Sequence, residues 1–348
     1  MTYSTEMNEI VEERYQFCIW LYRIKKETDI RNKKKIERGE ENQVYADILS
    51  QPCHIKKLFG GFLGTPQYTE IATLRGHNCR VNCLTLYENK LVSGSSNNTI
   101  RIWSPETREE ITTVIMDGHA GMRCLTLSKN KMYSGSWDEH IKVWNTETYE
   151  QIATLIGHTS LVNCITLHEN NLYSGSMDRT IRIWNTNTYE TIETLEGHTG
   201  DVNCLTLHEN KLYSGSYDMT IRIWNTETYE EIATLEGHTS DVNCLTLHEN
   251  TLFSGSWDMT IRIWNTETYE QIATLEGHTN SVFCLTHFEN KLFSGSSDNT
   301  IRIWNTETHE EIAILRGHTG WVYCLTHDEN KLYSGSGGND NTIRIWKI

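Results

Sequence analysis

The sequence is poor in proline and has no long apolar run. Only 3 of its 348 residues are proline, which excludes an extended proline-rich linker. No apolar run approaches the roughly 18 residues that a bilayer-spanning helix needs, so we expect no membrane span. The first residues, MTYSTEMNEIVEERYQ, are acidic and polar, and they do not resemble a secretory signal peptide.

Basic charge and metal-binding motifs are also scarce. The chain has 31 Lys and Arg against 46 Asp and Glu, a net charge of −15, whereas proteins that coat nucleic acid are basic. We therefore expect no nucleic-acid partner. The 10 cysteines include no CxxC pair, which disfavours zinc, and we predict neither a metal nor a cofactor. Free thiols without a signal peptide indicate a reducing compartment, so the predicted location is the cytoplasm, with the nucleus as the alternative.

What the sequence has in abundance is internal repetition. Seven Gly-His pairs recur with steps of 42, 39 and then 40 residues, and each is followed in phase by a tryptophan. These pairs lie at 76–77, 118–119, 157–158, 197–198, 237–238, 277–278 and 317–318. Each unit contains four short apolar or alternating runs separated by turn-forming residues, such as VNCLTL, TLFSGS, TIRIW and QIATL. Four strands in about 40 residues predict one propeller blade, so residues 69–348 are predicted to form an all-β, seven-bladed β-propeller.

The Gly-His pair, the SGSxD turn and the IRIW strand resemble the WD-repeat (WD40) family. The resemblance covers about four-fifths of the chain. It implies that the strand before each Gly-His pair is the outer strand of the preceding blade. The seventh unit contributes three strands up to Ile348, so the outer strand 69–74 is predicted to complete the last blade and close the ring.

The resemblance also implies a buried polar network in each blade. It joins the His of the Gly-His pair, a Ser of the second strand, the turn Asp and the Trp of the third strand. Two such sets are His238, Ser254, Asp258 and Trp264, and the equivalent His198, Ser214, Asp218 and Trp224. Hydrolases also use a Ser-His-Asp trio, but catalysis needs one site and this trio recurs around the ring. We therefore predict a structural network and no catalytic residue; the network of the first blade, with Asn97 in place of Asp, is predicted to be the weakest.

Differences among the near-identical units indicate where a partner binds. In the family that the chain resembles, the Gly-His loops and the Asp turns share the top face, where partner peptides usually dock. Three variable registers on that face carry aromatic, apolar or charged side chains: Trp137, Met177, Tyr217, Trp257, Phe283, Trp321, Tyr323, Asp201, Asp241, Arg80 and Arg123. Clusters of exposed aromatic residues mark interaction sites. The two Asp beside them predict a peptide that brings a Lys or Arg into an aromatic, acidic mouth.

Residues outside the repeat array divide into two predicted segments. Residues 1–58 are predicted to form a helical extension, and residues 59–68 a linker. Met7, Ile10, Val11, Tyr15 and Cys18 keep a helical spacing. Residues 6–38 are therefore a candidate for pairing with a partner helix.

These observations predict a monomeric, non-catalytic scaffold or adaptor that binds proteins or peptides. Two alternatives stay open. The repeats are similar to those of F-box proteins and myosin heavy-chain kinases. The first alternative function is therefore a substrate receptor of a ubiquitin ligase, docked to the ligase through its N-terminal helices. A helix followed by a seven-bladed ring also resembles the layout of G-protein β subunits, which leaves a signalling subunit of that type.

Overall fold

The computed structural model describes residues 68–116 and 121–348, whose secondary structure consists of 28 β-strands in seven four-stranded sheets. The predicted helical extension, the linker as far as residue 67 and the helix-pairing segment 6–38 lie outside the described residues. Within the described ranges no helix is long and apolar enough to cross a membrane.

Each sheet is one blade, and its strands pair antiparallel in chain order. The first described strand is β1 (Glu70–Leu74). Blade 1 contains β2 (Val81–Tyr87), β3 (Lys90–Ser95), β4 (Thr99–Trp103) and β5 (Glu110–Ile115). Blade 2 contains β6 (Met122–Ser128), β7 (Lys131–Ser136), β8 (Ile141–Asn145) and β9 (Gln151–Leu155). Blade 3 contains β10 (Val162–His168), β11 (Asn171–Ser176), β12 (Ile181–Asn185) and β13 (Thr191–Leu195).

The same order continues around the ring. Blade 4 contains β14 (Val202–His208), β15 (Lys211–Ser216), β16 (Ile221–Asn225) and β17 (Glu231–Leu235). Blade 5 contains β18 (Val242–His248), β19 (Thr251–Ser256), β20 (Ile261–Asn265) and β21 (Gln271–Leu275). Blade 6 contains β22 (Val282–Phe288), β23 (Lys291–Ser296), β24 (Thr300–Asn305) and β25 (Glu311–Arg316). Blade 7 combines β26 (Val322–His327), β27 (Lys331–Ser336) and β28 (Ile343–Lys347), the last three strands in the sequence, with β1, the first.

The seventh blade confirms the predicted closure. β1 pairs antiparallel with β28, with Leu74 opposite Ile343. The Arg344 guanidinium also pairs with the Glu70 carboxylate, as a third-strand Arg does with an outer-strand Glu in blades 1, 4 and 6. The inner strands β26 and β2 pack against each other, so every blade has two neighbours.

The hydrophobic core lies between adjacent blades, because a single blade leaves both of its faces apolar. Between blades 4 and 5, Tyr213 and Ile223 of one blade pack in a cluster with Val242 and Trp264 of the next. Gly215 is required for this approach, since a Cβ there would lie 2.6 Å from the Cγ1 of Val242 in the next blade and 2.6 Å from the Sγ of Cys204 in its own blade. The cysteine register therefore fills a narrow gap, and all eight cysteines of the described residues are free thiols.

Candidate functional site

The polar network is a chain of hydrogen bonds inside each of blades 3 to 7, and blade 5 shows its geometry. The Trp264 indole N–H donates to the Ser254 Oγ at 2.8 Å. The Ser254 Oγ and the His238 Nε2 lie 2.7 Å apart, and the His238 Nδ1 lies 2.7 Å from the Asp258 Oδ2. This arrangement fits a neutral imidazole that donates from Nδ1 to the carboxylate and accepts the serine proton at Nε2. The Thr260 hydroxyl also donates to Asp258, at 2.7 Å.

The carboxylate of the network is strongly stabilised in its ionised form. Burial opposes ionisation of Asp258, but hydrogen bonds from His238 and Thr260 outweigh it and hold the pKa of this carboxyl well below its usual range. The same contacts recur in blade 4 among His198, Ser214, Asp218 and Trp224.

Blade 1 lacks this carboxylate. The Asn97 amide donates to the side-chain oxygen of Asn78 instead of facing the imidazole. The His77 Nδ1 has the Thr99 Oγ1 at 3.2 Å as its partner. Burial, with the neighbouring Arg101 charge, lowers the pKa of His77 to about 4.

The residues predicted to bind a partner converge on the mouth of the central channel. A cavity of about 390 Å³ opens there, and all seven blades contribute to its wall. Its lining includes nine of the eleven predicted site residues: Arg80, Arg123, Asp201, Tyr217, Asp241, Trp257, Phe283, Trp321 and Tyr323. The lining also includes four asparagines that we did not predict, Asn82, Asn163, Asn203 and Asn243. We name this cavity, with these 13 residues, the mouth cavity.

Four aromatic rings form a continuous cluster along one arc of the mouth cavity. Phe283 stacks on Tyr323 with ring centroids 5.1 Å apart. Trp321 lies 5.8 Å from Phe283, and Trp257 meets Phe283 edge-on at 6.5 Å. Trp257 and Trp321 are each 49% exposed, whereas Phe283 and Tyr323 are half-buried beneath them. Phe283 and Tyr323 are less exposed than the two tryptophans because their stacking covers part of each ring.

The charged side chains of the mouth cavity occupy separate blades. Asp201 and Asp241 come from blades 4 and 5, and Arg80 and Arg123 come from blades 1 and 2. Asp241 is only 8% exposed, whereas Asp201 is half-buried.

Burial shifts the pKa of each of these groups in the direction that favours its neutral form. Burial raises the pKa of Asp201 against the opposing effect of the nearby Arg179 charge. Burial, together with the neighbouring Asp201 carboxylate, raises the pKa of Asp241. Burial and the adjacent Arg80 charge lower the pKa of Arg123. A ligand that brings opposite charges to these groups would favour their ionised forms.

Two predicted site residues lie outside the mouth cavity. Trp137 is exposed, and its ring lies against Gly121, where a Cβ would be 2.8 Å from the indole. Met177 is also exposed at the corresponding turn of blade 3.

The asparagines of the mouth cavity could have been found from the sequence, because Asn163, Asn203 and Asn243 share one register of the inner strand. Each donates its side-chain N–H to a carbonyl of the next blade at 3.1–3.2 Å.

No group of three or more His, Cys, Asp or Glu side chains within residues 68–116 and 121–348 is arranged to hold a metal ion. Two histidines of the inner strands, His248 and His287, instead stack with ring centroids 3.8 Å apart.

Comparison with known proteins shows repeated matches along the chain. The family model described as "WD40: WD domain, G-beta repeat" matches seven segments: 68–104, 109–145, 149–185, 189–225, 229–265, 269–305 and 309–347. A search of the curated proteins found no match. Among solved structures, the chain is similar to a crystal structure of the computationally designed Ika8 protein. That similarity has a TM-score of 0.68 and 28% identity, and it covers 80% of this chain and 99% of that one.

Proposed function

The chain belongs to the WD40 repeat family, and from that premise we propose that it is a non-catalytic scaffold that binds a partner peptide in the mouth cavity. Propellers of this family are typically protein-interaction scaffolds, they bind proteins or peptides, and they are generally non-catalytic. One observation carries the proposal: nine residues chosen for their variability among repeats line a single cavity. Two of them are tryptophans that keep about half of their surface exposed.

The proposal that the protein is non-catalytic rests on the burial and hydrogen bonds of the Ser-His-Asp trio. A nucleophilic serine must reach a substrate carbonyl, but Ser254 is fully buried and its Oγ already accepts the Trp264 N–H. The equivalent Ser214 is buried in the same way and accepts from Trp224. In blades 4 and 5 the trio therefore lies in the interior and presents no nucleophile at the surface.

The peptide-binding part rests on the chemistry of the mouth cavity. Tryptophan and tyrosine dominate binding hot spots because they bury large areas at a small cost in side-chain entropy. The exposed faces of Trp257 and Trp321 also suit a cation, which an indole face attracts by about 0.5–2 kcal/mol. Asp201 and Asp241 supply negative charge in the same cavity. We therefore propose that the peptide inserts a Lys or Arg side chain between these carboxylates and the aromatic cluster.

The ubiquitin-ligase receptor and the G-protein-β-like subunit both depend on residues 1–58. These residues lie outside the described ranges, so no structural observation favours either alternative. The predicted cytoplasmic location stays a prediction.

Co-purification with quantitative mass spectrometry tests the proposal, with a matched control that the chain itself provides. Trp257→Ala/Trp321→Ala removes both exposed indoles of the mouth cavity. Trp137→Ala removes an indole of the same repeat register and the same exposure, 49%, that lies outside the cavity. We expect partners of the wild type to be lost from the double variant and retained by the control, since each hot-spot truncation costs about 2 kcal/mol or more. Equal retention by both folded variants would overturn the mouth cavity as the binding site.

A further inference from the structure

The charges of the mouth cavity are segregated around the ring. Arg80 and Arg123 lie on adjacent blades 1 and 2, and Asp201 and Asp241 lie on adjacent blades 4 and 5. In a closed ring of seven blades these two pairs face each other across the channel axis. The mouth therefore has an acidic pole and a basic pole.

The acidic pole has no cation bound to it within the described residues. Neither Asp201 nor Asp241 forms an ion pair there; Arg179 influences Asp201 only from outside salt-bridge distance. Hydrogen bonding to its own backbone N–H and to the Ser240 side chain only partly offsets the burial that raises the pKa of Asp241. An ionised carboxylate that is only 8% exposed is costly without a cationic partner, so a positive group supplied by a ligand would offset that cost. Asp241 lines the mouth cavity, so a ligand in the cavity can supply that group.

The basic pole is likewise without a carboxylate in the described part of the chain. Arg80 lies over the Tyr323 ring, 4.5 Å from its centroid. Arg123 is half-buried and close enough to Arg80 for the two charges to repel. Other arginines of the repeat, such as Arg222, pair with an outer-strand Glu. Two adjacent arginines with no acid between them form the arrangement that a carboxylate of a ligand satisfies with charge-assisted hydrogen bonds.

The aromatic cluster connects the two poles along one arc. In ring order, Asp241 and Trp257 of blade 5 are followed by Phe283 of blade 6, Trp321 and Tyr323 of blade 7, and Arg80 of blade 1. We infer that the mouth cavity binds a dipolar peptide segment, with a Lys or Arg side chain at Asp201 and Asp241, an Asp or Glu side chain at Arg80 and Arg123, and an apolar side chain on the aromatic arc between them. This inference rests on the proposed function and specifies its ligand.

Selection from a random heptapeptide library tests this inference, because the sequences that the protein enriches report the ligand chemistry of the mouth cavity. The peptides are displayed with their C termini fused to the carrier, so that any acidic group is a side chain. Selections are run in parallel on the full-length wild type, Arg123→Gln, Asp241→Asn and the control Arg316→Gln, which removes an exposed charge outside the cavity. Melting temperatures establish that each variant is folded.

We expect the wild type and Arg316→Gln to enrich peptides that contain both a basic and an acidic residue. Arg123→Gln should lose the acidic preference and keep the basic one, and Asp241→Asn should do the reverse. For one selected peptide, replacing its Glu by Gln should weaken binding to the wild type by about tenfold or more, and should have little effect on Arg123→Gln.

Two outcomes overturn the inference, and they are distinguishable. Basic enrichment alone, unchanged by Arg123→Gln, would leave the proposed scaffold function intact and reject the dipolar ligand. The same peptides selected by the wild type and by Trp257→Ala/Trp321→Ala would reject the mouth cavity as the binding site and the dipolar ligand with it.

Discussion

Replacing Asp258 by Asn should destabilise blade 5, and the size of the effect follows from the contacts of the carboxylate. Asp258 accepts four hydrogen bonds: from the His238 Nδ1, the Thr260 hydroxyl and N–H, and the Thr239 N–H. An asparagine keeps one acceptor oxygen for Thr260 but turns its NH₂ toward His238 and Thr239. The imidazole can change tautomer and accept from that NH₂, whereas the Thr239 N–H loses its acceptor.

Thr239 is exposed and its N–H can bond to water, so the expected loss is that of one charge-assisted hydrogen bond to the buried carboxylate, about 1.5–3 kcal/mol. Chemical denaturation should show a lower midpoint, and hydrogen exchange should localise faster opening to blade 5. The effect should also depend on pH. Because the folded pKa of Asp258 is held low, its stabilisation is complete above the unfolded value of about 4 and is lost as the pH falls further. The difference between the wild type and the variant should shrink in that acidic range.

Blade 1 provides the reciprocal variant. Asn97→Asp restores the carboxylate beside His77, whose Nδ1 now has only the Thr99 hydroxyl at 3.2 Å. This variant should stabilise the protein by about 1.5–3 kcal/mol, the contribution of one hydrogen bond to a charged group. An unchanged midpoint for Asp258→Asn, or a lower one for Asn97→Asp, would refute the reasoning.

Three further predictions concern packing, closure and acid stability. Val92 stands where the other blades have Tyr or Phe, beside a cavity of about 200 Å³. Val92→Phe should therefore increase the free energy of unfolding by about 0.5–2 kcal/mol and raise the denaturation midpoint; a lower midpoint would contradict this. Leu74→Ala in the closing strand should cost about 2–5 kcal/mol, as much as Leu235→Ala in blade 4, since both leucines are buried; a near-neutral Leu74→Ala would contradict the closure. Burial lowers the pKa of His77 to about 4, so the unfolded chain binds a proton between about pH 6.5 and 4 that the folded chain does not. Stability should therefore fall as the pH is lowered through that window. If the wild type and His77→Gln lose the same free energy of unfolding across the window, the prediction is contradicted.

The ring was predictable because each unit repeats the residues that build it. Gly-His, SGSxD and IRIW fix the turns and strands of every blade, and an outer strand was predicted at 69–74 where β1 runs from Glu70 to Leu74. The hydrogen bonds among His238, Ser254 and Trp264 follow the same repeated positions. A role for Thr260 was not predicted, because a turn threonine has many other uses.

The mouth cavity was predictable only in part. Comparison of registers identifies a face of the ring, but it does not give the depth of a side chain within that face. Asp241 and Trp321 share one register, yet Asp241 is only 8% exposed and Trp321 is 49% exposed. Trp137 shares the register of Trp257 but packs beside Gly121. The separation of acidic and basic poles depends on which blades are neighbours across the channel, and this becomes visible only when the ring is closed.

Photo-crosslinking from position 257 tests the central claim most directly. A benzophenone amino acid replaces Trp257 in one sample of the full-length protein and Trp137 in another, and each is irradiated with a peptide selected from the heptapeptide library. The account predicts a crosslinked peptide from position 257 and none from position 137, because only the former lines the mouth cavity. Equal crosslinking from both positions, or crosslinking from position 137 alone, would contradict it.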